Sequence, residues 1–161
     1  MKIPMKISII LNKRMSDLIK ENNIDISATR LSPSYVDSSK HFIIRYFPDI
    51  DCYLFESEYD SYEAFYDYSV KNEWSNNRKW IFVKKSYRSA LKKAIGIVYV
   101  IAKTLSTMEE SFTISLRDPQ DTIPEIGITF YSNREGFREV ELENINEYNC
   151  PFMRIIITPM L

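Results

Sequence analysis

The chain has 161 residues, 45% of them hydrophobic, with a formal net charge of -1 and only three glycines. That length supports one sizeable core and argues against two, so residues 1–161 are expected to form a single domain. The near-neutral charge argues against a general nucleic-acid binder, which needs a basic excess, and no direct nucleic-acid partner is expected.

Residues 6–11 read as a short strand, and Met15, Leu18 and Ile19 at helical spacing predict a short helix after it. Residues 22–39, rich in Asn, Ser and Asp and holding Pro33, read as a loop that Ile24, Ile26 and Leu31 anchor to the core. Residues 41–47 are rich in Ile, Phe and Tyr and predict a strand. Pro48 and Asp51 bound a turn, and residues 52–56 return as the second strand of a hairpin.

Asp60 followed three residues later by Glu63 fits a capping box, and Tyr62, Phe65, Tyr66 and Val70 then mark the buried face of a helix. On that helix Glu63 and Asp67 stand four apart and project together. Residues 72–78 read as a break, and residues 80–83 as a short strand or the lead into the next helix.

The longest helix is predicted over residues 86–106, where Tyr87, Ala90, Leu91, Ala94, Ile95, Val98, Ile101, Ala102 and Leu105 recur three and four apart. Ser86 is its expected N-cap, and Lys84, Lys85, Arg88, Lys92 and Lys93 avoid the stripe and face outward. Lysines bracket its apolar centre, which is far shorter than the roughly 20 residues of a membrane span, so no membrane partner is expected.

Beyond that helix the pattern becomes β. Residues 112–116 alternate, residues 118–121 form a turn, and residues 125–131 place Ile126, Ile128 and Phe130 on one face. Residues 137–142 read as a further strand, with Val140 and Leu142 inward and Glu139 and Glu141 outward. Residues 153–158, with three consecutive isoleucines, suggest a strand covered on both faces. Helices and strands segregate rather than alternate, which predicts an α+β fold with a largely antiparallel sheet packed on the long central helix.

The chain carries no catalytic signature, and it is read as a non-enzyme with no cofactor and no metal. His41 stands alone, with no second His or nearby Cys to complete a zinc set, and reads as structural. No Gly-x-Ser-x-Gly elbow is present, and neither glycine-rich nucleotide loop occurs. Glu139 and Glu141 resemble paired carboxylates, but a solvated strand face produces the same spacing and is the preferred reading. Cys52 and Cys150 form neither a C-x-x-C pair nor a disulfide framework, which fits a reducing cytoplasm, and the first apolar run is too short for an export signal.

Charge is segregated along the chain. Between Phe47 and Val70 every charged residue is acidic, whereas from Lys71 to Ser106 nine basic residues face Glu73 alone. The acidic stretch also carries Tyr53, Tyr59, Tyr62, Tyr66 and Tyr68. Tyrosine is favoured at binding hot spots, and clustered carboxylates steer a basic partner and raise its association rate.

In this general character, a small, glycine-poor α+β chain without a catalytic set and with an acidic, tyrosine-laden segment from Asp49 to Tyr68, the protein resembles the immunity proteins of bacterial polymorphic toxin and contact-dependent growth inhibition systems. The resemblance implies a cytoplasmic protein that neutralises a cognate toxin domain, expected to be a basic nuclease. The toxin-binding residues proposed on this reading are Glu56, Glu58, Tyr59, Asp60, Glu63 and Asp67. A small enzyme or accessory subunit, or a regulatory module that touches nucleic acid through the basic helix face, are the alternatives.

Overall fold

The computed structural model describes residues 3–26, 42–134 and 140–160. Strands β1 (Met5–Leu11), β4 (Lys79–Phe82), β5 (Phe112–Arg117), β6 (Glu125–Ser132) and β7 (Phe152–Pro159) form one sheet in the order β1-β7-β5-β6-β4. Every neighbouring pair in it is antiparallel. A separate hairpin joins β2 (Ile44–Phe47) to β3 (Cys52–Phe55). Among the described residues three α-helices accompany them: α1 (Lys13–Glu21), α2 (Ser69–Asn76) and α3 (Tyr87–Leu105). The fold is therefore α+β, with one long helix packed on an antiparallel sheet.

Helix α3 begins where its cap requires. The Ser86 hydroxyl accepts the Ser89 amide at 3.0 Å, and the buried stripe follows through Leu91, Ile95, Ile101 and Leu105, all fully buried. Against it the sheet presents one alternating face, Ile114 and Leu116 from β5, Ile126 and Phe130 from β6, and Met153 and Ile155 from β7. The lysines and arginine excluded from the stripe are exposed. Among the described residues no helix is long and apolar enough to cross a membrane.

Strand and helix expectations hold for β1, α1, the hairpin, β5, β6 and β7, with ends shifted by up to three residues. Ile24 is buried and Ile26 packs against the core, as an anchored loop requires, while Leu31 and His41 lie outside the described residues. Three expectations fail in whole or in part.

The helix predicted from Asp60 does not form. Residues 56–61 make a 3-10 turn that ends at Tyr62, whose φ of -60° and ψ of 131° are extended. The chain then stays non-helical to Tyr68, and the helix begins at Ser69, at the end of the stretch read as helix, and runs on into the stretch read as a break. Tertiary contacts override the capping pattern here. Tyr59 stacks on Phe47 with ring centroids 4.0 Å apart, and Glu58 pairs with Lys79 at 2.7 Å, which together pin the 3-10 turn to the hairpin and to β4. Of residues 72–78, read as a break, 72–76 belong to α2 and only 77–78 separate it from β4. Asn72 and Asn76 each donate to the carbonyl four residues back, at Tyr68 and Asn72, and also bond neighbouring segments, as Asn77 does, so their side chains leave α2 intact.

The strand predicted over residues 137–142 is not formed by its described part. Residues 140–142 are turn and coil, Leu142 is exposed and Glu141 points inward, the reverse of the expected facing; Glu139 lies outside the described residues. The Glu141 carboxylate accepts the Tyr131 hydroxyl at 2.8 Å and the Ser115 hydroxyl at 2.7 Å, so hydrogen bonding rather than solvent decides its orientation.

Candidate functional site

The geometry of the acidic aromatic segment is set by α2. Glu73 in this short helix and Asn77 at its C-cap stand four apart, and their side chains bridge two strands that do not pair with each other. Glu73 accepts the amides of Tyr53 on β3 at 2.6 Å and Ser132 on β6 at 2.8 Å. Asn77 accepts the Phe55 amide at 3.3 Å and donates to the Tyr53 carbonyl at 2.8 Å. Two side chains thus satisfy strand edges that would otherwise be buried unpaired.

Glu73 is completely buried and its charge is met by Arg134, whose Nη2 lies 3.0 Å away. Burial pushes the Glu73 carboxyl up from its ordinary value, against the pull of the Ser132 and Tyr53 amides, the Ser132 hydroxyl and the guanidinium. Arg134 also binds Asp51 at 2.5 Å through Nη1 and takes the Asp51 carbonyl at 2.6 Å. Asp51 sits at the hairpin turn with φ of 51°, a left-handed position that aspartate tolerates. The Tyr46 hydroxyl and then the Arg134 guanidinium hold its carboxyl below the usual range.

One turn round the helix, Asn72 and Asn76 do for residues 63–68 what Glu73 and Asn77 do for the strands. The Asn72 carboxamide accepts the amides of Phe65 and Tyr66 and donates to the carbonyls of Tyr66 and Tyr68. Asn76 donates to the Glu63 carbonyl at 2.9 Å. The segment is consequently fixed without being helical, and its aromatic side chains are displayed instead of buried. Phe65 is 61% exposed, and Tyr66 and Tyr68 are close to half-exposed. Lys71 sits above both tyrosine rings, 5.9 Å and 5.5 Å from their centroids.

The six residues expected to contact a partner divide into two groups. Glu56 is paired with Arg45 at 2.9 Å, Glu58 with Lys79, and the Tyr59 hydroxyl donates to Asp49 at 2.6 Å, so these three are engaged within the fold. Asp60, Glu63 and Asp67 are exposed and form no ion pair among the described residues. Asp67 also lines a shallow hollow of about 350 Å³ with Ile50 and Asp51 of the hairpin turn, Tyr62 and Asn72. Beneath it Cys52 is fully buried, its thiol 3.5 Å from the Tyr62 hydroxyl, and burial pushes it up to about 11.

Sequence reasoning missed Asn72, Glu73, Asn76, Asn77 and Arg134. The available signal was two polar pairs four apart, Asn72 with Asn76 and Glu73 with Asn77, which on a helix select two adjacent stripes. Among the described residues no group of three or more His, Cys, Asp or Glu side chains is arranged to hold a metal ion. Comparison with protein-family models, with curated proteins and with solved structures finds no match to this chain.

Proposed function

We propose that the protein is a cytoplasmic immunity protein that binds a basic toxin domain, of the nuclease class, through the surface carried by residues 56–68. The observation that carries this reading is the non-helical segment held by Asn72 and Asn76, which presents Phe65, Tyr66 and Tyr68 beside the carboxylates of Glu63 and Asp67. The same aromatics on an ordinary amphipathic helix would be core. Held open and fixed in advance, they supply contact area at little ordering cost, and the surrounding carboxylates add attraction for a cationic cleft. Asp60, Glu63 and Asp67 are the charges available to a partner, with Glu56, Glu58 and Tyr59 shaping the surface through their internal pairs.

The test is the combined Asp60→Lys, Glu63→Lys and Asp67→Lys variant, assayed by stopped-flow association with the toxin domain encoded beside its gene and by protection of cells expressing that toxin. Association slows and protection is lost while the circular dichroism spectrum is retained. Salt slows the unaltered protein and not the variant, as the screening length falls from about 10 Å at 0.1 M to about 3 Å at 1 M. Unchanged association with intact protection refutes the assignment.

A further inference from the structure

The sheet face turned away from α3 holds a second site. Its floor is made of small side chains, because Ser115 on β5 pairs directly with Thr129 on β6, and Gly127 lies in the next row on the same face. That row reads Arg117, Gly127, Trp80 across three strands. A Cβ on Gly127 would lie 2.8 Å from Cζ3 of Trp80, so the indole rests against the bare backbone. Trp74 and Arg78 descend from the end of α2, and Glu141 and Tyr148 close the far side around a cleft of about 370 Å³. That volume falls within the range of small-molecule sites.

The chemistry of the lining is specific. Arg78 lies over the Trp74 ring at 4.2 Å, and neither the Arg78 nor the Arg117 side chain makes a hydrogen bond or ion pair among the described residues. Burial and then the Arg117 charge hold the Arg78 guanidinium below its ordinary value, against the pull of the Glu141 carboxylate. Glu141 and Glu143 also line the cleft, but no carboxylate among the described residues is bonded to either guanidinium, so both keep their paired N–H donors available to an anion. Across the cleft Glu141 commits one oxygen, Oε2, to Tyr131 and Ser115. Its other oxygen has no hydrogen-bond partner among the described residues.

We propose that this cleft binds a nucleoside monophosphate, with the base between the Trp74 and Trp80 indoles, the phosphate on Arg78 and Arg117, and an N–H of the base donating to Glu141. Planar guanidinium forks match phosphate oxygens in pairs, indoles stack on any base, and a carboxylate selects bases with ring or amino donors. This site is independent of the acidic surface and stands or falls separately from it.

The experiment titrates the full chain with AMP, GMP, adenosine, inorganic phosphate and a short single-stranded oligonucleotide, read by calorimetry and by tryptophan fluorescence. AMP or GMP binds and quenches the fluorescence, adenosine binds at least about tenfold more weakly, and phosphate alone leaves the fluorescence unchanged. Arg117→Ala and Arg78→Gln each weaken binding by about tenfold or more, Arg117→Lys rescues in part, and Lys93→Ala has no effect. Gly127→Ala displaces Trp80 and weakens binding with the fold intact by circular dichroism. Failure of both mononucleotides to bind at millimolar concentration, binding untouched by the arginine changes, or binding of the oligonucleotide alone overturns the proposal.

Discussion

Asn72 and Tyr66 exchange two hydrogen bonds. The Tyr66 amide donates to Oδ1 at 3.1 Å, and Nδ2 donates to the Tyr66 carbonyl at 2.8 Å. A side-chain amide here pairs with the backbone as a neighbouring strand would, and it does so while its own residue remains helical.

That exchange makes Asn72 the keystone of the exposed aromatic segment. Asn72→Ala is expected to cost about 1 to 3 kcal/mol, since it strips partners from backbone groups at Phe65, Tyr66 and Tyr68. Chemical denaturation checks the stability, and limited proteolysis checks that cleavage concentrates between residues 62 and 68. A resistant segment and a loss below about 0.5 kcal/mol would mean that packing, not Asn72, holds it.

Glu73 and Arg134 form a buried pair in which one partner cannot be removed without stranding the other. Glu73→Ala is expected to destabilise by about 3 to 5 kcal/mol, because the guanidinium and two strand amides lose their acceptor. Glu73→Gln keeps an acceptor and loses less. Equal losses in the two variants, measured by urea denaturation, would show that charge rather than hydrogen bonding dominates.

The core prediction concerns α3. Leu91→Ala or Ile95→Ala, both at fully buried positions, is expected to cost about 2 to 5 kcal/mol from lost transfer energy and the cavity left behind. A loss under about 1 kcal/mol in equilibrium unfolding would contradict the packing of this helix on the sheet.

Cys52 gives a pH dependence. Its folded-state value, pushed up to about 11 by burial, lies above an ordinary thiol near 8.5, so folding favours the protonated form. The stability this contributes is complete below the ordinary value and is lost as pH rises through about 11. The stability difference between the unaltered protein and Cys52→Ala should therefore narrow between about pH 9 and 11, and be flat from about pH 6 to 8. Thiol-reagent kinetics should also find Cys52 protected at pH 8 until the protein unfolds.

How far the fold was legible depended on where each signal was resolved. The α3 stripe and the alternating faces of β5 and β6 are decided by residues a few positions apart, and both were readable. The helix at Ser69 was not, because its start is decided by Tyr59 against Phe47 and Lys79 against Glu58, contacts that no local window contains. The facing of Glu141 was hidden for the same reason, since Ser115, Tyr131 and Arg154 arrive from three separate strands. Acidity and tyrosine content marked residues 56–68, while the asparagines that shape the surface looked only like turn formers.

The position of β7 between β1 and β5 also orders events in time. Of the strands among the described residues it is the last in sequence, yet it lies inside the sheet and pairs with the first along its whole length. Until β7 leaves the ribosome, β1 has no pairing partner, and its Ile7 and Ile9 remain without the strand beside them. The β2–β3 hairpin and the β4-to-β6 half with α3 need no part of β7, whereas closure of β1 onto the sheet waits for it, and so distant a pairing is intrinsically slow. A newly made chain therefore passes through an interval in which β1 is an open edge for any extended segment nearby.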